Sequence, residues 1–241
     1  MGRGIRPAST TLEGSRLVCT TYLSTMCQAS WATSANFGKS RPCPGWREIG
    51  SRWYAYGDMA VSSNIPQLGS RCPDFRLPAT DGKSYGRDDF AGASVLVVMF
   101  ICNHCPYVQA VEDRLLDLAR SYRPRGVQFV GICSNDAVTY PEDGFDKLKA
   151  RWELKKYGFP YLHDESQAVA HAFDAVCTPD IFVYDQSQRL AYRGRIDDSW
   201  KDAAKVTRRE LAEAIQSLLD GKTPSPEQRP SMGCSIKWKQ D

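Results

Sequence analysis

Residues 95–108 read Val-Leu-Val-Val-Met-Phe-Ile-Cys-Asn-His-Cys-Pro-Tyr-Val. The run Val95 to Ile101 is continuously apolar, rich in β-branched residues and too short for a helix with its own caps, so it reads as a strand buried on both faces. It stops at Cys102-Asn103-His104-Cys105. Apolar residues then return at helical spacing, at Val108, Val111, Leu115 and Leu118. Two cysteines separated by two residues therefore sit where a buried strand turns into a helix. The first helical turn has unpaired backbone N–H groups and a partial positive charge, which favours a thiolate on Cys102. Cys105 lies one turn further on, within reach of a mixed disulfide formed on the first sulfur. Pro106 fixes that first turn without wasting a donor. The pattern is that of a dithiol redox site.

Downstream, the helix runs to about Tyr122 and is stopped by Pro124 and Gly126. Val127 to Cys133 is a second buried strand, and strand–helix–strand forces the two strands parallel with a right-handed crossover. Ser134-Asn135-Asp136 is thereby placed at the sheet edge that carries Cys102, where open α/β sheets hold their sites. Phe145 to Leu154 reads as a helix, Tyr161-Leu162 as a short extended piece, and Gln167 to Phe173 as a brief helix. Asp180 to Tyr184 is a strand with Pro179 at its threshold, joined by a polar turn to Leu190–Ile196 as a hairpin. Lys205 to Leu219 is an amphipathic helix ended by Gly221. Upstream, Cys72 to Leu77 alternates as a strand and Ser84-Tyr85 returns as its partner across Thr80–Lys83. The element order indicates an α/β fold around a sheet of mixed direction.

With 241 residues, 42% of them apolar, the chain can bury a sizeable core. Its formal net charge of +3 gives no argument for nucleic acid. Residues 1–58 hold seven Lys and Arg against three Asp and Glu, so the basic character belongs to the head and the body is close to neutral. That head has no sustained period, is rich in Ser, Thr and Arg, and is expected to be disordered. It reads either as an organellar transit segment or as an over-long start with Met59 as the true initiator. The cytoplasm is the expected compartment, with a plastid or mitochondrion the alternative if the head is a transit segment. No apolar run approaches the length of a membrane span, and no membrane association is expected.

Nine cysteines in a chain of this size do not form the dense, even framework of a small secreted domain. Cys133 and Cys177 fall in apolar runs, where a thiol usually serves as a small buried hydrophobe. A zinc site needs four N/S ligands, and a second C-x₂-C pair is absent. His104 either favours the neighbouring thiolate, pushing the pair towards the oxidising side, or is a helix-start residue of no consequence. Cys234, near the end of the chain, either returns over the dithiol as a resolving thiol or has no part in it.

The dithiol at a strand–helix junction, together with Thr178-Pro179 opening a later strand, resembles the thioredoxin fold. The opening CPDFRLPATDGKSY resembles the redoxin branch of that fold, which includes the peroxiredoxins (the AhpC/TSA superfamily). CNHCPYV, SNDA, CTPDIFVYD, YRGRIDDSW and SMGCSIKWK are together similar to the peroxiredoxin-like proteins of the thioredoxin family, over about 64–239. The resemblance implies a thioredoxin-like three-layer sandwich, a mixed central sheet flanked by helices with an N-terminal redoxin-type hairpin. It implies a domain over 64–221, with 222–241 as a tail packing on or near it.

Residue by residue, the resemblance makes Cys102 the exposed attacking cysteine and Cys105 the buried resolving one. Pro179 matches the cis-proline beside the dithiol. Thr178 offers its backbone to a bound peptide strand, and Asn103 joins it in the substrate-binding set. Cys177, Asp136 and Cys234 are auxiliary candidates, with Asp136 as the proton acceptor. Two features of the relatives are missing. The peroxidase motif P-x-x-x-T-x-x-C, aligned on Cys105, meets Val98 and Cys102 where it needs Pro and Thr. The buried acid and the Trp of thioredoxins are replaced by Leu96 and Ile101. The function implied is thiol–disulfide oxidoreduction on protein or small-molecule disulfides, with a thiol peroxidase or a redox-sensing adaptor as alternatives. No metal or organic cofactor is called for, electrons coming from an upstream thiol reductant, and the chain is expected to be a monomer or weak dimer.

Overall fold

The computed structural model describes residues 60–64 and 66–240, together with the backbone of two strands, β1 (Trp46–Ile49) and β2 (Arg52–Ala55). These two strands form a small sheet of their own. The rest of 1–58, expected from its sequence to be disordered, lies outside the described residues.

The body is built on β6 (Val95–Phe100), which sits at the centre of a five-stranded sheet. β7 (Val127–Cys133) and β8 (Tyr161–His163) lie parallel on one side of it. On the other side β10 (Asp180–Asp185) runs antiparallel to β6, and β11 (Leu190–Arg193) antiparallel to β10. Every residue of β6 is buried. Val95, Val97, Met99 and Ile101 enter one core, and Leu96, Val98 and Phe100 enter the other. Two-sided burial explains the unbroken apolar run; an amphipathic strand would alternate.

Helix α1 (Pro106–Tyr122) packs its apolar stripe of Val108, Val111 and Leu115 into the first core. The same core takes Leu148 of α2 (Phe145–Lys155) and Leu211, Ala214 and Ile215 of α4 (Glu210–Leu219). The opposite face is covered by α3 (Ala168–Ala172) and by the hairpin of β4 (Arg76–Pro78) and β5 (Ser84–Gly86). Three layers result, with a mixed sheet in the middle. No helix among the described residues is long and apolar enough to cross a membrane.

Three local readings of the sequence are corrected. α4 begins at Glu210, five residues later than the periodicity suggests. The Asp198 side chain accepts from the Thr207 amide and hydroxyl, and Asp202 caps a short 3-10 turn at Ala203–Lys205, so local side-chain bonds displace the helix there. The return strand of the late hairpin stops at Arg193, short of Ile196. Arg193, which alternates in sequence like a solvated charge, is buried and makes a two-pronged pair with the fully buried Asp180, at 2.8 and 3.3 Å.

A second, smaller sheet determines the surroundings of the site. β12 (Met232–Ser235) lies between β3 (Ala60–Ser62) and β9 (Cys177–Thr178), antiparallel to both. The tail is therefore woven into the body. Beyond β12, the amide of Lys237 donates to Asn135 Oδ1 (2.9 Å), its carbonyl accepts the Asp136 amide (2.8 Å), and Trp238 stacks on His171.

Candidate active site at the end of the central strand

β6 delivers Cys102 to the carboxyl edge of the sheet, and α1 starts immediately after Cys105. β7 brings Asn135 to the same edge, and β9 brings Thr178. All three segments meet. The Cys102 thiol lies 3.3 Å from the Thr178 hydroxyl, and the Cys105 thiol donates to the Thr178 carbonyl at 3.1 Å. The peptide bond from Thr178 to Pro179 is cis. The two thiols share Thr178 and influence each other's charge, and no disulfide joins any of the described cysteines.

The turn between the cysteines is held by a carboxylate that the sequence did not single out. Asp143 is wholly buried, at the end of a 3-10 turn (Pro141–Asp143). Its Oδ1 accepts the amides of Asn103 (2.8 Å) and His104 (3.3 Å). Its Oδ2 lies 2.5 Å from His104 Nδ1 and accepts from Asn135 Nδ2 at 2.8 Å. His104 stacks on Tyr140, and Asn103 Nδ2 donates to the Glu142 carbonyl. Asn103 Oδ1 is buried with no partner among the described residues. A sulfur of Cys102, a ring nitrogen of His104 and an oxygen of Asp143 lie within 4.8 Å of one another, a grouping that metal ions use. Here the Asp143 oxygens are already engaged by four donors.

These contacts correct the expected exposure of the first cysteine. Cys102 is only 2% exposed and Cys105 is 0% exposed. The loop at 140–143 closes over the turn, and the Thr178 hydroxyl covers the sulfur from the other side, so the attacking position is enclosed. The charge also moves. Burial, the hydrogen bond to Cys105 and the negative charge of Asp143 hold the Cys102 thiol well above its ordinary pKa. Burial alone would raise Cys105 too. The thiols of Cys102 and Cys234, the Val108 amide and Thr178 outweigh it and carry Cys105 well below the usual thiol range. The helix terminus thus serves the second sulfur through the Val108 amide, and Cys105 is the more acidic thiol of the pair.

Other expected residues fall as follows. Asp136 Oδ2 accepts the Thr139 hydroxyl at 2.5 Å and Oδ1 the Val138 amide at 3.1 Å, so it closes its own turn and is not the proton acceptor. These bonds, the Thr139 hydroxyl first, lower its pKa. His104 is paired with Asp143, which neutralises the field that the imidazole was expected to exert on a thiolate. Cys177 is fully buried and donates towards the Pro179 carbonyl at 3.6 Å, away from the pair, and burial raises its pKa. Thr178 does touch both sulfurs, but its backbone is not free for a guest: it is already paired with Cys234 of β12. Beside Pro179 a cavity of about 260 Å³ is lined by Tyr107, Trp200, Arg195, Arg229 and Met232, and neither sulfur of the pair lines it.

A sequence model of the AhpC/TSA family matches residues 68–193. The chain belongs to the AhpC/TSA family. This AhpC/TSA protein is 44% identical to an uncharacterized conserved protein from Geobacillus kaustophilus, with a TM-score of 0.73 over 77% of this chain and 99% of that one. A hypothetical protein from Sinorhizobium meliloti 1021 is 41% identical, with a TM-score of 0.72 over 75% and 99% of the two chains. A thiol:disulfide interchange protein of the thioredoxin family from Chlorobium tepidum TLS, 18% identical, superposes with a TM-score of 0.50 over 64% and 99%, a likeness of fold alone. No curated protein matches the chain. The AhpC/TSA protein thus has the thioredoxin-like architecture that its motifs resemble.

Two of those motifs acquire a structural reason. In YRGRIDDSW, Arg193 pairs with Asp180, Asp197 with Arg114 of α1 (3.0 Å), and Trp200 packs on Tyr107 with ring centres 4.1 Å apart. In SMGCSIKWK, Gly233 and Cys234 lie on Thr178, and Trp238 on His171.

Proposed function

We propose that the protein is a thiol–disulfide oxidoreductase whose working couple is Cys102 and Cys105. The observation that carries this reading is the placement of both thiols on Thr178, next to the cis bond to Pro179. Cys105, the more acidic thiol, first loses the proton that it shares with the Thr178 carbonyl and becomes the base for Cys102. Cys102 attacks one sulfur of a substrate disulfide as its proton passes to Cys105, and the other substrate sulfur leaves as a thiolate. That thiolate takes the proton back from Cys105. Cys105 then attacks Cys102 in the mixed disulfide, and the second substrate sulfur leaves and is protonated by solvent. The substrate gains two electrons and becomes two thiols, and the protein holds one disulfide. An external thiol reductant returns the electrons, so the reading calls for neither metal nor organic cofactor.

Because β12 already pairs with Thr178, the substrate disulfide approaches without adding a strand. A small-molecule disulfide, or one on a protruding loop, suits that approach best. The unpaired Oδ1 of Asn103 is an acceptor for an N–H of such a substrate. The test is reduction of oxidised glutathione and of insulin by the full chain, recharged with dithiothreitol. Turnover that disappears in Cys102→Ser is expected. Catalytic consumption of hydrogen peroxide with neither disulfide touched would overturn the reading.

A further inference from the structure

Three cysteines converge on one residue. Thr178 meets Cys102 through its hydroxyl and Cys105 through its carbonyl, and it is the register partner of Cys234 in the β9–β12 pair. All three cysteines belong to one packed cluster, and the Cys234 side chain stands close enough to Cys105 to lower that thiol. Cys105 is thus the middle sulfur, with a thiol on either side.

The placement of Cys234 is built, not incidental. Gly233 presses its backbone against the Thr178 carbonyl. Ser231 exchanges hydrogen bonds with Ser63 and donates to the Gly194 carbonyl at 2.7 Å. The Ile236 amide donates to the Val176 carbonyl at 3.0 Å. These bonds on both sides of Cys234 fix where its sulfur stands. Cys133 and Cys177, though also buried, have no such contact with the pair.

We propose that Cys234 is a third exchanging thiol, and that Cys105 forms a disulfide with either neighbour. The inference rests on the preceding reading for its oxidant, which is the substrate disulfide. Once Cys102–Cys105 has formed, the Cys234 thiolate attacks the Cys105 sulfur. The Cys105–Cys234 bond forms as the Cys102–Cys105 bond breaks, and Cys102 leaves as a thiolate. It takes up the proton that Cys234 gave up. One disulfide is exchanged for another and no electrons enter or leave. The outcome is a form in which Cys102 is a free thiol again while the oxidising equivalent is stored beneath β12.

Peptide mapping of the full chain, equilibrated with oxidised and reduced glutathione and quenched with acid, tests this. The wild type is expected to yield both Cys102–Cys105 and Cys105–Cys234 linkages. Cys105→Ser should yield neither linkage, in monomeric protein. Cys234→Ser should still form Cys102–Cys105, and its failure to do so would sink the preceding reading instead. Wild-type protein with Cys102–Cys105 as its sole linkage overturns the proposal.

Discussion

Gly233 lies so close to Thr178 that a β-carbon placed on it would stand 1.9 Å from the Thr178 carbonyl oxygen. That oxygen also accepts the Cys105 thiol. The glycine is required by close approach, since any side chain would have to push the tail strand away from the dithiol. Gly233→Ala is therefore expected to loosen β12 and expose the site. Hydrogen exchange should quicken at 232–236 and at 176–178, and Cys102 should alkylate faster. Unchanged exchange in both segments would contradict this.

The charge on Cys105 gives a pH signature. A thiol lowered in the folded state is ionised there while the unfolded chain still holds its proton, so its contribution to stability is complete above the unfolded thiol value of about 8.5. It is lost as pH falls through the lowered folded value. Thiolate absorbance of the reduced protein should accordingly persist below the ordinary thiol range and vanish in Cys105→Ser. Replacing either donor, by Cys102→Ala or Cys234→Ala, should move the titration upward. A signal that stays in Cys105→Ser and disappears in Cys102→Ser would reverse the assignment.

Asp143 connects the turn between the cysteines to the loop after β7. Its negative charge is among the causes that raise Cys102, so Asp143→Asn should lower the Cys102 thiol and speed its alkylation. The amide also offers one acceptor oxygen where the carboxylate offers two, stranding a buried donor at a cost of about 1–3 kcal/mol. Denaturant unfolding beside alkylation kinetics measures both, and slower alkylation at unchanged stability would contradict the argument.

The Asp180–Arg193 pair lies beneath the first residue of β10, one position past Pro179. Removing the acid alone leaves a guanidinium that is 4% exposed with only the exposed Asp174 carboxylate, 3.6 Å away, to balance it. Asp180→Ala should cost about 3–5 kcal/mol, whereas a joint replacement by apolar residues of matching volume should cost far less. A double-mutant cycle with no coupling would count against it.

What the sequence made legible follows from how local each signal is. β6, the turn at Cys102–Cys105 and the start of α1 are adjacent, and two-sided burial and Pro106 mark them without distant information. The parallel β7 followed from chain connectivity alone. Met232–Ser235 carries no alternation and is far in sequence from Thr178, so nothing local announces that it becomes a strand there. The choice between Asp136 and Asp143 was equally hidden. Both lie in one loop, and only the 3-10 turn at Pro141–Asp143 determines which carboxylate reaches Asn103 and His104. Arg193 reads as a surface charge because its partner is thirteen positions earlier, on the neighbouring strand.

β12 also governs what the protein refuses. An open strand edge beside a reactive sulfur would recruit any extended polypeptide that drifted past, whatever its chemistry. Here that berth is taken by the chain itself. Under the proposed reading, admission would depend on a visitor's slenderness, and discrimination between clients would be settled by upholstery before any bond is exchanged.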